Sequence, residues 1–505
     1  MSVPQVKLTF PGGPCAQKGS TFSGGLFINN EFVASESGKT FAVLDPSTGK
    51  EIAQVAEGSE KDVDRAVKAA QKAFDTTWGT KVPGHERGKL LMHLADLVEA
   101  NIDELSSIES LDNGKPFSIA KGFDVAQVAA NFRYMGGWAD KNTGQVIETN
   151  DAKLTYTRHE PIGVCGQIIP WNFPILMASW KLGPALATGN TVVLKTAEQT
   201  PLSVLKLCEL IKEAGFPPGV VNVVSGFGPV AGAAIASHMD IHKVAFTGST
   251  LVGRQIMQVA AKTNLKKVTL ELGGKSPNII YDDADVEQAA KWAAFGFSFN
   301  AGQCCCAGTR VYVQEGIHEK FMKRLKEVVA NMHVSAPWDE NAFHGPLVSQ
   351  LQFDRVTGFI EKGIKEGATV EMGGKRHGNE GYFVQPTIFS NVKETDTISK
   401  EEIFGPVLVT STFKDTEDLL AKANDSYYGL AAAVFTRDIS RALETANRLQ
   451  AGTVWINTYN LLDAQVPFGG YKQSGIGREL GQYALANYTN GNALALARWG
   501  PALPF

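Results

Sequence analysis

Three kinds of signal are missing from this sequence: long apolar runs, blocks of basic residues and paired cysteine spacings. No run approaches the roughly 18 apolar residues of a membrane span, so we expect no membrane partner. A net charge of -4 and a pI of about 6.2 argue against a nucleic-acid partner. Six cysteines without paired spacing are typical of reduced thiols inside the cell. Residues 1–30 resemble neither a secretory signal nor an Arg-rich presequence, so the cytoplasm is the expected location.

The order of apolar segments predicts an α/β fold. With 505 residues, 44% of them hydrophobic, the chain is long enough for two or three domains with their own cores. Apolar residues at helical spacing from Val63 to Phe74 follow Ser59, which predicts a capped helix. Further along, predicted strands cover 191–195, 220–224, 242–246 and 267–271, and predicted helices cover 200–215, 228–237 and 250–261. Strands that are apolar rather than alternating indicate a parallel sheet covered on both faces, as in a Rossmann-like nucleotide domain.

A thiol cluster and a glutamate suggest covalent catalysis. Cys304, Cys305 and Cys306 follow a glycine and a glutamine, and Glu271 ends an apolar strand-like run before two glycines. At an unperturbed pKa of about 8.5, only a few per cent of a cysteine is thiolate at neutral pH, so a nucleophile needs activation by its surroundings. We expect no metal, because adjacent cysteines diverge and no second CxxC or HxxxH pair completes four ligands. For any single cysteine, the alternative is a small buried apolar residue.

Residues 246–253 (FTGSTLVG) form the best candidate for a nucleotide-binding turn. They lie between a predicted strand and a predicted helix, where free N–H groups and the helix dipole attract an anion. Residues 226–229 (GFGP) are a weaker candidate, because the third fingerprint glycine is missing and proline has no N–H. Lys195 and Glu198 follow the carboxyl end of a strand, where a carboxylate accepts ribose hydroxyls and repels a 2′-phosphate. The alternative for this pair is two solvated loop charges.

Seven motifs in order along the chain resemble those of the NAD-dependent aldehyde dehydrogenase superfamily. They are 170–174 (PWNFP), 195–201 (KTAEQTP), 246–249 (FTGS), 271–277 (ELGGKSP), 302–305 (GQCC), 402–406 (EIFGP) and 467–470 (PFGG). The resemblance extends from about residue 25 to residue 490. It is strongest to the tetrameric class that includes cytosolic retinal-type and mitochondrial acetaldehyde-type enzymes.

The resemblance implies a set of catalytic residues. Cys305, three places after the glycine, matches the nucleophile, and Asn172 matches the side-chain donor to the oxyanion. Such a donor typically contributes a factor of about 100 to 1,000 in rate. Glu271 matches the general base that activates water for thioester hydrolysis. Lys181 matches a lysine implicated in proton handling; a structural lysine is the alternative.

The resemblance also implies NAD as the cofactor. The residues assigned to it are Trp171, Lys195, Glu198, Phe246, Gly248, Ser249, Gln352, Arg355, Glu402 and Phe404. Lys195 and Glu198 would hold the adenine ribose. Ser249 and Trp171 would approach the pyrophosphate. Glu402 with Phe404 would fix the nicotinamide ribose and ring. Arg355 replaces a family lysine, which keeps the charge but changes the hydrogen-bond geometry.

The family's aldehyde tunnel predicts the substrate-binding residues. They are Phe173, Met177, Trp180, Phe299, Cys304, Cys306, Asn460, Leu462 and Phe468. Leu462 stands where acetaldehyde-type enzymes have another aromatic residue, so the mouth should be wider. Asp463 stands where a small residue is usual and adds a charge near the entrance, unless it is simply a solvated loop carboxylate. We expect medium-sized apolar or aromatic aldehydes in preference to acetaldehyde or betaine aldehyde.

The resemblance further implies three domains and self-association. The NAD-binding domain would cover 1–138 and 162–273, and the catalytic domain 274–473. Residues 139–161 and 474–505 would form an oligomerisation arm and C-terminal segment. Alternation in 153–158 and the strand-like run 492–497 predict a small sheet shared between subunits of a homotetramer, a dimer of dimers. An ordinary exposed hairpin would alternate in the same way.

Two other functions are compatible with this fold. A CoA-acylating semialdehyde dehydrogenase would lack the base at the position of Glu271, and this chain has it. A non-catalytic structural protein would not need Cys305, Glu271 and Asn172, and all three are present. Thioester chemistry with Cys305 and Glu271 also permits an esterase side activity.

Overall fold

The computed structural model describes residues 2–497, and its larger sheet has eight strands. Across the sheet they are Gly475–Ile476, Lys267–Glu271, Lys243–Thr247, Val164–Ile168, Thr191–Thr196, Val221–Ser225, Leu26–Ile28 and Glu31–Val33. The five from Lys267–Glu271 to Val221–Ser225 are parallel. The four predicted strands are confirmed to within one residue at each end. The middle strands are buried at every position, which explains why they are mainly apolar and do not alternate.

A second sheet of seven strands is also mainly parallel. Its strands, in spatial order, are Thr369–Met372, Thr387–Ser390, Val407–Phe413, Arg310–Gln314, Pro277–Ile280, Ala431–Phe435 and Thr453–Ile456. Only the pair at the Thr369–Met372 edge is antiparallel. The predicted α/β class is therefore confirmed.

A third, antiparallel sheet forms an arm. Its strands are Thr489–Ala497, Lys153–Pro161 and Val146–Asn150, in that order. Asn492 pairs with Arg158 and Ala497 with Lys153, so the two segments predicted to meet do so within one chain. Val146 and Leu496 are 77% and 65% exposed, so the arm presents apolar side chains to solvent.

The helices pack around the sheets. The α-helices are Glu60–Thr76, Gly84–Ala100, Ile102–Asn113, Phe117–Ile119, Ala126–Trp138, Pro174–Ala187, Leu202–Glu213, Ala233–Ser237, Thr250–Lys262, Val286–Ser298, His318–Ala330, Gln350–Lys365, Thr397–Lys400, Thr416–Asn424, Ile439–Arg448 and Tyr483–Ala486. Within residues 2–497, none combines the length and apolarity that crossing a membrane requires. Ser59 and Asp62 form the predicted capping box at the start of the first helix.

Several shorter elements complete the chain. Two hairpins pair Gln5–Leu8 with Ser20–Ser23 and Thr40–Asp45 with Lys50–Ala56. Ala120–Val125 and Gly228–Gly232 are π-helical, and Phe299–Gly302, Glu315–Ile317 and Lys472–Ser474 are 3-10 turns. The predicted helix over 228–237 is thus divided, because the amide of Gly232 bonds back to the carbonyl of Phe227. The domain boundaries stay a prediction. Residues 1 and 498–505, which belong to the first and last predicted segments, lie outside the described residues.

Candidate active site

Two cavities meet where Asn172, Thr247, Glu271 and Cys305 line both of them. The first is a pocket of about 400 Å³ with a mainly apolar lining. The second is a more polar cleft of about 660 Å³ at the carboxyl ends of parallel strands. Thr247 and Glu271 end two adjacent strands of the larger sheet, so the sheet itself brings them to the junction.

Cys305 follows a turn with unusual backbone angles. Asn300, Ala301 and Gly302 have φ values of 52°, 56° and 69°. Left-handed angles are uncommon for residues other than glycine, and three in succession turn the chain sharply. A Cβ on Gly302 would lie 2.2 Å from the backbone of Gly405, so this position requires glycine. The turn therefore fixes where the following cysteines stand.

The three thiols occupy different surroundings. Cys305 is half-buried and lines both cavities, whereas Cys304 and Cys306 are buried and line only the pocket. The Sγ atoms of Cys304 and Cys306 lie 3.6 Å apart, and Cys306 donates to Asn460 Oδ1 at 3.0 Å. Contacts with the Cys304 and Cys306 thiols, burial and the Glu271 carboxyl raise the pKa of Cys305. Cys305 must therefore lose its proton before it can attack.

Glu271 is the unpaired carboxyl of the junction. It is 3% exposed, and neither of its oxygens has a hydrogen-bond partner among the described residues in the present geometry. Burial raises its pKa to about 8, and the nearby Cys305 thiol and Lys181 ammonium only partly oppose this shift. A buried carboxyl with such a pKa can take up a proton near neutral pH.

Asn172 lies beside the nucleophile turn, just before the helix Pro174–Ala187. Its side chain is buried, and Nδ2 donates to the main-chain oxygen of Gln303 at 3.0 Å. An amide nitrogen carries two N–H groups, so this bond leaves a second one for a group in the pocket. The predicted donor is therefore tied to the segment that carries the thiols.

Lys181 is fully buried behind the junction. Its Nζ lies 2.7 Å from Glu479 Oε1 and donates to Thr247 Oγ1 at 2.7 Å. Glu479 and Thr247 were not predicted as site residues. A buried ion pair of this kind agrees with a structural role for Lys181. A role of Lys181 in proton handling stays a prediction.

The cleft collects most of the residues predicted for the cofactor. They are Trp171, Gly248, Ser249, Gln352, Arg355, Glu402 and Phe404. Ser249 caps the helix Thr250–Lys262, and the first N–H groups of a helix favour an anion. A Cβ on Gly273 would lie 2.3 Å from Glu402 Oε2, so the glycine allows this carboxyl to approach. A helix N-terminus, a carboxyl for ribose hydroxyls and flanking aromatic rings fit a dinucleotide.

The loop that carries Glu402 and Phe404 is held by the neighbouring helix. Gln352 Nε2 donates to the carbonyl of Phe404 and Arg355 Nη2 to the carbonyl of Glu402, both at 2.7 Å. Phe404 has a φ of 60° and meets the ring of Trp171 edge to face at 5.2 Å. Burial raises the pKa of Glu402 to about 7. Arg355 thus positions this loop, and its ribose contact stays a prediction.

Three predicted cofactor residues do not line the cleft at the junction. Phe246 packs under Gly248, where a Cβ would lie 2.5 Å from the ring. Lys195 is buried near the end of the strand Thr191–Thr196, and its Nζ lies 3.4 Å from Glu198 Oε2. The pair is therefore not two solvated loop charges, because Lys195 is enclosed. Its role in holding a ribose stays a prediction.

All nine predicted substrate residues line the apolar pocket. The rings of Phe173 and Phe299 stack at 6.0 Å, and those of Trp180 and Phe468 meet edge to face at 5.5 Å. Phe123 and Leu176 also line the pocket and were not predicted. Asp463 is exposed and is not among the lining residues, in agreement with the solvated alternative.

Fold and site together define an α/β enzyme in which a cleft beside a parallel sheet opens onto a half-buried cysteine. The family model described as the aldehyde dehydrogenase family matches residues 32–493. An aldehyde dehydrogenase of Emericella nidulans is 62% identical over 92% of this chain and 93% of its own length. A mitochondrial aldehyde dehydrogenase of Rattus norvegicus is 55% identical over 94% of this chain and 91% of its own.

A solved structure gives the same result. The NAD+ complex of an aldehyde dehydrogenase from Bacillus cereus superimposes with a TM-score of 0.93 at 53% identity, covering 94% of this chain and 96% of that one. The chain belongs to the aldehyde dehydrogenase family. The predicted family and enzyme class are therefore confirmed.

Proposed function

We propose that the protein oxidises an aldehyde to a carboxylate with NAD as the oxidant. One observation carries the proposal: Cys305 and Glu271 stand where an apolar pocket meets a cleft suited to a dinucleotide. The Bacillus cereus relative, whose title names NAD+, supports the choice of cofactor. The residues that would hold it are Ser249 and Trp171 at the phosphates and Glu402 with Phe404 at the other end.

Cys305 is the proposed nucleophile. Its sulfur attacks the aldehyde carbon as the thiolate, after its proton has left to solvent. The carbonyl oxygen becomes an oxyanion that accepts from the Asn172 amide and the Cys305 N–H. The Asn172 side chain is tied to the segment that carries Cys305 by its hydrogen bond to Gln303, and two donors held together in this way favour the tetrahedral thiohemiacetal over the free aldehyde.

Glu271 acts in the release of the product. When bound, NAD supplies an acceptor for the hydride that leaves the former aldehyde carbon. Loss of that hydride leaves a thioester on Cys305. Glu271 then takes a proton from water, the hydroxide attacks the thioester carbon, and the C–S bond breaks to release the acid and the thiolate. Lys181 and Glu479 are proposed to pass protons away from this carboxyl.

NAD should be preferred to NADP. Glu198 is half-buried and beside the enclosed Lys195, at the strand end where the adenine ribose is proposed to sit. A carboxylate there accepts two ribose hydroxyls but repels a 2′-phosphate.

The proposed substrates are medium-sized apolar or aromatic aldehydes. Four of the pocket's aromatic residues, Phe173, Trp180, Phe299 and Phe468, can enclose a ring, with Phe123 completing the wall. Burying apolar surface contributes about 25 cal/mol per Å². A small aldehyde such as acetaldehyde would leave much of this wall uncovered.

Self-association through the arm and a cytoplasmic location complete the proposal. The exposed apolar residues of the arm, Val146 and Leu496 among them, support a homotetramer built as a dimer of dimers. Sedimentation at micromolar concentration tests this, and a stable monomer would contradict it. Because one relative is named as mitochondrial, fractionation of the native cells decides the location.

The test of the main function is the absorbance of NADH with a simple aldehyde. Steady formation of NADH and free acid without CoA is the expected result. Turnover that requires CoA would favour the acylating alternative, and no turnover with any of the aliphatic, aromatic and indole-type aldehydes would favour the non-catalytic one.

A further inference from the structure

The main-chain carbonyl of Asn172 is held by three side chains from two separate segments. It accepts from Asn300 Nδ2 at 2.9 Å, from Lys115 Nζ at 3.1 Å and from Asn113 Nδ2 at 3.5 Å. All three donors are buried. A carbonyl oxygen has two lone pairs, so three donors saturate it and restrict the peptide that follows.

Among these donors, Lys115 is the only one that carries a charge. Its side chain is 0% exposed, and its ammonium contacts Asp124 and, at 3.4 Å, Glu109. The three N–H groups of an ammonium are thereby matched by three acceptors: the two carboxyls and the carbonyl of Asn172. A buried charge is costly unless it is paired and hydrogen-bonded, so this full pairing explains how it persists in the interior.

The cluster around Lys115 lies between the wall of the substrate pocket and the segment that carries Asn172. Lys115 follows Gly114, which ends the helix Ile102–Asn113 in the left-handed conformation. Asp124 is on the π-helix Ala120–Val125, directly after Phe123 of the substrate pocket. Lys115 Nζ also lies 4.5 Å from the centre of the Phe173 ring. The ammonium therefore connects the pocket wall to the segment that carries the Asn172 amide.

We propose that Lys115 is a positioning residue for the oxyanion donor: anchored by Asp124 and Glu109, it holds the Asn172 carbonyl and so aims the Asn172 side-chain amide at the reacting oxygen. The inference rests on the proposed role of Asn172 as that donor. Lys115 itself does not line either cavity at the junction, so it acts through Asn172 and not on the substrate.

A double-mutant cycle with Lys115→Met and Asn172→Ala tests the proposal. The measured quantities are kcat and KM for an aldehyde and the rate of hydrolysis of a p-nitrophenyl ester. Lys115→Met should lower both rates by about 10- to 100-fold, the loss that a misplaced catalytic group typically causes, with little change in NAD binding. In the Asn172→Ala background the same change should cost less than about twofold, because the group it positions is already gone.

Lys121→Met is the matched control. Lys121 is on the same π-helix as Asp124, but its side chain is 43% exposed and pairs with Asp103 at the surface. This variant should keep the parent's kcat and KM. If Lys115→Met is not obtained folded, Asp124→Asn takes its place in the cycle, because it keeps the shape of the side chain and weakens the anchor of the ammonium.

The outcomes separate the two proposals. Equal losses from Lys115→Met, or from Asp124→Asn in its place, in both backgrounds would overturn the positioning role, because a general structural defect does not depend on Asn172. Unchanged rates in Asn172→Ala alone would instead overturn the oxyanion role of Asn172. A loss that disappears without the Asn172 amide supports both.

Discussion

Thr247 and Glu271 occupy paired positions at the ends of two adjacent parallel strands, and both side chains reach the junction of the pocket and the cleft. The register of the sheet thus places the proposed base beside the hydroxyl that binds Lys181. A shift of one residue in either strand would turn these side chains to the other face. The position of the Glu271 carboxyl is therefore fixed by the register of the two strands.

Replacing the nucleophile gives the first prediction. Cys305→Ala should abolish both dehydrogenase and esterase activity and leave NAD binding intact, because only this thiol lines both cavities. Cys304→Ala and Cys306→Ala are the matched controls and should mainly alter KM for the aldehyde. Substantial turnover of Cys305→Ala in the NADH assay would refute the assignment.

Replacing the base should separate the two halves of the reaction. Glu271→Gln keeps the shape of the side chain but cannot accept the proton of water. We expect a burst of NADH followed by slow turnover and an acyl-enzyme that accumulates, measured by stopped-flow absorbance and by the mass of the protein. Steady-state rates equal to the parent's would rule out this role.

The raised pKa of Glu271 predicts how activity depends on pH. A base works when ionised, so turnover limited by thioester hydrolysis should rise with pH and level off above about 8. The same shift makes the folded protein less stable as pH rises, because the fold disfavours ionisation of Glu271. The pKa of this carboxyl is about 4.3 in the unfolded chain and about 8 in the fold, so the stability that its protonation provides is lost as pH rises through this range. The melting temperature of the parent should accordingly fall relative to that of Glu271→Gln over this range. A flat kcat profile between pH 6 and pH 9, under conditions where hydrolysis limits turnover, would contradict the assignment.

Glu198 predicts the choice of dinucleotide. Glu198→Gln removes the charge that should repel a 2′-phosphate, so the ratio of kcat/KM for NAD over NADP should fall by about tenfold, which corresponds to about 1.4 kcal/mol. Both coenzymes are compared with one aldehyde at saturation. If the parent uses NADP as efficiently as NAD, the ribose assignment is wrong.

The aromatic wall predicts substrate preference. Arylacetaldehydes should have a higher kcat/KM than acetaldehyde or betaine aldehyde. Trp180→Ala should reduce kcat/KM most for the aromatic substrates, because the ring of Trp180 lies against Phe468 on the pocket wall. Removing such a ring typically costs about 1 kcal/mol or more in binding. Acetaldehyde or betaine aldehyde as the best substrate would refute this interpretation of the pocket.

Sequence patterns predicted the regular part of the molecule well. The strands 191–195 and 267–271 could be predicted because buried parallel strands are rich in apolar residues and lack regular alternation. Leu176 could also have been found, since it lies at helical spacing with Phe173, Met177 and Trp180. Phe123 could not, because the π-helix around it breaks the 3.6-residue period on which such predictions depend.

Contacts between distant segments were harder to predict. Glu479 meets Lys181 from 298 positions along the chain, and Lys115 meets Asn172 from 57 positions away. Neither contact leaves a local pattern. The resemblance supplied the residues that touch the ligands, while the charges that hold those residues in place became visible only in the fold.

The arm has a consequence for handling the protein. The strand Val146–Asn150 is an outer strand of its sheet, and among the described residues no further strand pairs with its free edge. An unpaired strand edge with exposed apolar side chains such as Val146 can form β-sheet pairs with other protein chains. Dilution below the concentration at which subunits associate should therefore promote aggregation before it promotes unfolding. Storage at high protein concentration should preserve the preparation better than storage at low concentration.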